Sequence, residues 1–179
     1  MPCIICGSES NQSSIEHIVP RTLGNIHYIL PKGIVCQKCN NKFSRFESKV
    51  LSSTIFVQER KKRGLLSSQY QIIETNVDPF DWQRFVIKIG YEALYISKNK
   101  TWKSLPHKPI KRALLYSEKA GFLAEKIQKN QFYWKNIPVW LDYWRLRING
   151  CRIMVGKNDF NQLGIIFHYS SIRLMARIK

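Results

Sequence analysis

Two C-x₂-C pairs, Cys3/Cys6 and Cys36/Cys39, enclose a Glu16-His17 dipeptide, and Asn40-Asn41 follow the second pair directly. Tetrahedral Zn²⁺ takes four soft ligands, and a two-residue gap lets one turn of chain supply two of them. The four cysteines are therefore expected to hold a structural zinc ion; four free thiols in a core is the poorer reading at this spacing. The stretch from Cys6 to Cys36 is longer than a plain zinc ribbon needs, so it reads as an insert with a task of its own. Phosphodiester hydrolysis needs an activated water and a cation to neutralise charge on phosphate oxygens. His17 suits the role of general base, since neutral imidazole accepts a proton near neutral pH. Glu16 offers a hard oxygen to Mg²⁺ or Mn²⁺, and Asn40 offers another without adding charge.

The surrounding elements must bring these groups together. Neighbours on a regular strand face opposite ways. Glu16 and His17 can thus serve one site only where the strand ends or bends, and Pro20 with the Gly24-Asn25 turn supplies such a bend. Gly7 frees the backbone to turn after the first cysteine pair. Residues 13–20 read as a short strand, and residues 28–30 and 34–36 as a second extended run broken by Pro31-Lys32-Gly33. From Gln37 the pattern is helical, with Phe43, Phe46, Val50 and Leu51 at three- and four-residue spacing. The first unit is strand, turn, strand, helix, clamped by cysteines.

Downstream, Arg60-Lys61-Lys62-Arg63 forms a basic cluster and residues 70–73 look strand-like. Asp78-Pro79 is a helix start, an N-cap acid before a proline, leading into an amphipathic helix through Phe85, Val86, Ile89, Ala93 and Leu94. A basic helix is expected over residues 110–129. Residues 140–148, Asn149-Gly150 and residues 151–155 read as a hairpin with a type I′ turn, with strands following at Leu163–Tyr169 and Ile172–Ile178. Cys151 has no partner spacing and is expected to be a buried thiol. His27, His107 and His168 lack metal-ligand spacing. The fold class is α+β, divided into residues 1–60 around the cysteines and a basic α+β module over 61–179.

Composition narrows the partner. Twenty-nine Lys and Arg against 12 Asp and Glu give a net charge of +17 and a pI near 9.9, which points to a polyanion, most simply nucleic acid. Arg21, Lys38, Lys42 and Arg45 lie around the proposed centre and, with Arg60, Lys61, Lys62 and Arg63, are candidates for phosphate contacts. No apolar run reaches transmembrane length. The amino terminus lacks the pattern of a secretory signal, so a cytoplasmic setting without a membrane partner is expected, where such cysteine pairs bind metal.

Cys3-Ile4-Ile5-Cys6, Glu16-His17-Ile18-Val19-Pro20, Leu23-Gly24-Asn25 and the run from Ile34 to Phe43 together resemble the HNH endonuclease family, in its zinc-containing branch. The resemblance covers roughly the first quarter to third of the chain. It implies a ββα-metal fold in which a hairpin and a helix grip one divalent ion and the minor groove of a duplex. By the same resemblance His17 aligns with the general base. Glu16 falls at the first metal-ligand position, usually Asp. Asn40 falls where the family has its final His or sometimes Asn, with Asn41 as the adjacent alternative. The family's middle Asn, expected near Pro31, has only Asn25 as a loose substitute. The implied activity is metal-dependent DNA hydrolysis with Zn²⁺ structural and Mg²⁺ or Mn²⁺ catalytic, in restriction, phage or defence settings. Since one such site cuts one strand, double-strand cleavage favours a homodimer. The alternatives are a non-catalytic zinc-ribbon module that binds nucleic acid, and a nuclease directed at RNA.

Overall fold

In the computed structural model the described residues are 1–9, 15–67, 77–97, 103, 105, 107–116, 121–126, 144–148, 150–157 and 163–178. Helices and strands are mixed, as an α+β chain requires, and the chain divides into two compact units, Met1–Asp81 and Trp82–Lys179.

In the first unit, Gly7 at φ 78° turns the chain back on itself. Its amide donates to the Cys3 carbonyl, and the Cys3 amide to that of Ser8, each at 2.9 Å, closing a tight knuckle. Strand β1 (Glu16–His17) pairs antiparallel with β2 (Ile29–Leu30), Glu16 opposite Leu30 and His17 opposite Ile29. Between them a 3₁₀ turn, Arg21–Leu23, ends on Gly24 at φ 87°, a left-handed position that suits glycine. The second extended run is shorter than expected. Ile34 and Val35 lie in a bend, and Cys36, with φ −74° and ψ 155°, serves as the N-cap of helix α1 (Gln37–Ser52). Helix α2 (Thr54–Lys62) follows after a break at Ser53. Phe43, Phe46 and Val50 are buried as their spacing requires, joined by Ile18, Val19, Leu23 and Leu30 in the core of this unit. The Phe43 and Phe46 rings stand 5.6 Å apart and tilted. Each such side chain contributes about 1.5–3 kcal/mol by leaving water.

Helix α3 (Pro79–Ile96) begins as expected: the Phe80 amide donates to Asp78 Oδ1 at 2.8 Å. It is not amphipathic, however. Every residue from Phe85 to Leu94 is buried, including Lys88 and Glu92, whose charged ends pair at 3.2 Å. A helix enclosed on all sides can carry charge only when the charges compensate one another. Helix α4 (His107–Tyr116) buries Ile110, Ala113 and Leu114, and its His107 Nδ1 lies 3.0 Å from the Tyr91 hydroxyl.

The expected helix over 110–129 ends at Tyr116. Residues Gly121–Lys126 form a strand instead, β3, paired antiparallel with β7 (Ile172–Ile178). Local helix preference of Leu, Ala, Glu and Lys yields here to backbone pairing at a sheet edge. The remaining strands are β4 (Trp144–Ile148), β5 (Cys151–Lys157) and β6 (Leu163–Tyr169), and the five-stranded order is β3-β7-β6-β5-β4. Ile148 opposite Cys151 leaves a two-residue hairpin connection containing Gly150 at φ 81°. Cys151 is buried as expected. The expected strand at 70–73, residues 140–143 and Asn149 lie outside the described residues.

One glycine records how closely α3 and β6 pack. A Cβ on Gly90 would stand 2.4 Å from Ile165 Cγ2 and 2.9 Å from its Cδ1. Gly90→Ala, which in an open helix would stabilise, is expected to destabilise by about 1–3 kcal/mol through overpacking. Ile165→Ala in the same chain should recover part of that loss. Thermal unfolding of the two single variants and the double variant checks this; strict additivity would contradict it.

Candidate functional site

The sulfurs of Cys3, Cys6, Cys36 and Cys39 all lie within 4.8 Å of one another. With Zn–S bonds near 2.3 Å, tetrahedral ligands stand about 3.8 Å apart, and Cys6 Sγ to Cys36 Sγ is 3.5 Å. The donor set and spacing therefore fit a metal ion such as zinc. The knuckle supplies two ligands. The N-cap and the third residue of α1 supply the others, and the Cys36 amide donates to Cys3 Sγ at 3.3 Å. Cys3 is held down to about 4 by the hydrogen bond it receives from Cys39, helped by backbone amides against burial. Cys39 is pushed up because it gives that bond. Four thiols this close share out their protons as a unit, and a cation replaces those protons readily.

Beside the cluster lies a cavity of about 480 Å³, lined by Glu16, His17 and Asn40 together. Both residues of β1 border this cavity; the strand is only two residues long and the chain bends after it at Ile18-Val19. Glu16 is buried at 6% exposure. One face of α1, carrying Asn40, Ser44, Glu47, Ser48 and Leu51, forms a wall of the same cavity. The adjacent face carries Cys39, Phe43, Phe46 and Val50 into the core. Asn41 is exposed, accepts a bond from Gln37 Nε2 at 2.9 Å, and lies off the cavity wall. The buried carboxylate and the amide oxygen offer donors of the kind a hard divalent cation takes.

Asn25 holds the loop between β1 and β2. It is 1% exposed; its Nδ2 donates to the carbonyls of Val19 at 2.7 Å and Tyr28 at 3.1 Å, and its Oδ1 accepts from the Tyr28 amide at 3.0 Å. The carboxamide thus ties the segment just after His17 to the segment just before β2.

The basic candidates separate by position. Arg21, Lys38, Arg45, Lys62 and Arg63 are exposed, while Lys42 and Lys61 are half-buried. Arg21 lines the cavity mouth with Thr22. Arg60 departs from its run: it is 7% exposed and lines the cavity. Sequence reasoning also passed over Glu47, Ser44 and Ser48. The signal was there, since Glu47 stands seven residues after Asn40, two helical turns along the same face.

A knuckle and a helix meet at four thiols that could hold a metal ion, with a short hairpin between them in the chain. Residues 3–54 match the HNH endonuclease family, which suggests a nuclease-class unit. No curated protein and no solved structure matches the chain.

Asn25→Ala removes three hydrogen bonds and takes away the side-chain partner of the Val19 carbonyl and of the Tyr28 amide, which should cost roughly 2–3 kcal/mol. Asn25→Asp should do no better, because a carboxylate would face the Val19 and Tyr28 carbonyls. Urea unfolding of both variants measures this, and an unchanged midpoint for either would show that the loop does not depend on the carboxamide.

Proposed function

We propose that the protein is a metal-dependent endonuclease that hydrolyses phosphodiester bonds of duplex DNA. What carries this reading is that Glu16, His17 and Asn40 line one cavity inside the segment that matches the HNH endonuclease family. Zn²⁺ in the cysteine cluster would be structural. Glu16 and Asn40 would hold a single Mg²⁺ or Mn²⁺, which when bound neutralises charge on the phosphate and on the leaving oxygen. His17 takes a proton from the attacking water. The water oxygen bonds to phosphorus, the ester P–O bond breaks, and the leaving oxygen departs with its electron pair. Arg21, Lys38, Lys42, Arg45, Lys61, Lys62 and Arg63 would meet backbone phosphates, so binding weakens as salt rises. A single cavity cuts one strand, and a homodimer would cut both. No described helix is long and apolar enough to cross a membrane; a cytoplasmic role in restriction, phage or defence biology is part of the proposal.

Supercoiled plasmid with added Mg²⁺ or Mn²⁺ tests the chemistry. His17→Ala, folded and metal-loaded, is expected to lose about 10²–10⁴-fold in rate; wild-type speed in that variant would sink the assignment of the base. Asn40→Ala should be far more damaging than Asn41→Ala. Binding without any divalent-dependent cutting would favour the non-catalytic zinc module, and faster digestion of structured RNA than of duplex DNA would reassign the substrate.

The cluster makes its own prediction. Elemental analysis should find one zinc per chain, and Cys39→Ala or strong chelation should remove it and unfold the first unit. Because thiolates are the ligands, acid should release the metal as they protonate, with affinity falling as pH is lowered. A chelated protein with an unchanged thermal transition would contradict a structural role.

A further inference from the structure

Arg60 is unlike the cations beside it. Lys62 and Arg63 are exposed at the end of α2, and Lys62 Nζ pairs with Glu59 at 2.8 Å. Arg60 turns inward at 7% exposure, and its Nη2 donates to the Leu51 carbonyl at 2.6 Å. That carbonyl belongs to the last turn of α1, where helix acceptors lack intrahelical partners and the dipole favours a cation. The bond fixes the orientation of the planar guanidinium. Arg60 lines the same cavity as Glu16, His17 and Glu47.

Drawing a guanidinium out of water is costly unless its charge is compensated. In a cavity carrying Glu16 and Glu47 it offsets part of their charge, and an anion arriving there meets a guanidinium already anchored at the wall. Phosphoryl transfer gains most from donors set in place before charge develops on the non-bridging oxygens. The guanidinium fork matches the geometry of phosphate oxygens better than an ammonium does. We propose that Arg60 is the phosphate-holding residue of this cavity, donating to a non-bridging oxygen of the scissile phosphate and stabilising its charge as the P–O bond breaks. The proposal rests on the nuclease reading above. It gives Arg60 a role separate from the surface cations, which would touch flanking phosphates.

Bis(p-nitrophenyl) phosphate with Mn²⁺ tests this, because so small a diester engages the cavity alone. Arg60→Gln is expected to lower kcat about 10²-fold on this diester and on plasmid alike. Arg60→Lys, which keeps the charge and loses the fork, should fall between. Inorganic phosphate should raise the thermal transition of the wild type, less that of Arg60→Lys, and not that of Arg60→Gln. Zinc content and unfolding measured in parallel report on folding. A lowered transition with unchanged kcat and unchanged phosphate response would reduce Arg60 to a helix cap and overturn the proposal. Should Arg60→Gln not fold, Arg60→Lys at wild-type kcat and with a wild-type phosphate response would overturn it equally. A wild type sensitive to His17→Ala but indifferent to Arg60→Gln refutes this proposal and leaves the nuclease reading intact. An inactive wild type whose phosphate response needs Arg60 refutes the nuclease reading and the catalytic part of this proposal, and leaves Arg60 as a phosphate-holding residue alone.

Discussion

The convergence of four thiols within 4.8 Å is the constraint on which the amino-terminal unit depends. Its hairpin strands are two residues each, far too short to hold a register unaided. The loop between them puts Ile18, Val19 and Leu23 into the core but has little regular structure of its own. What closes this segment is the meeting of its ends: the knuckle at Cys3 and Cys6 comes against the start of α1 at Cys36 and Cys39. Closing a loop of about thirty residues by a metal removes chain entropy in the way a cross-link does. Four thiols crowded together also oppose full ionisation: the bond between Cys39 and Cys3 pushes the Cys39 thiol up while it lowers Cys3. The cluster is therefore the clasp of the unit and a donor set that could hold a metal.

Much of this was legible in the sequence because it is written in spacing. The cysteine pairs, the periodicity of Phe43, Phe46 and Val50, the Asp78-Pro79 helix start and the last two strands depend on local pattern, and local pattern survives folding. The errors fall where tertiary context decides. Gly121–Lys126 has a helix-friendly composition, yet it pairs with β7. Lys88 and Glu92 give α3 a polar look, yet they neutralise each other inside the core. Asn25 could be weighed only loosely from sequence, because its worth lies in reaching two carbonyls and an amide that the loop brings near it.

The cationic run shows the same limit at the cavity. Arg60-Lys61-Lys62-Arg63 reads as one patch in the chain, but a helix distributes consecutive residues around its axis. Arg60 is drawn to the carbonyl end of α1 while Lys62 and Arg63 remain in water. Net charge of +17 describes the molecule's attraction to polyanions as a whole. It says nothing about which cation is held still, and a held cation contributes differently from a mobile one.

Residues 39, 40 and 41 occupy successive positions on α1, each about 100° around the axis from the last. Cys39 meets the thiol cluster, Asn40 the cavity and Asn41 the solvent. The cluster thus acts as an index mark that sets the angular phase of the helix. Inserting or deleting one residue between Cys39 and Ser44 would leave the cluster whole and swing Ser44, Glu47 and Ser48 off the cavity wall. The loop between β1 and β2 is set differently: the Asn25 clip and the burial of Ile18, Val19 and Leu23 fix it, and it carries Pro20, Arg21 and Thr22 to the same cavity.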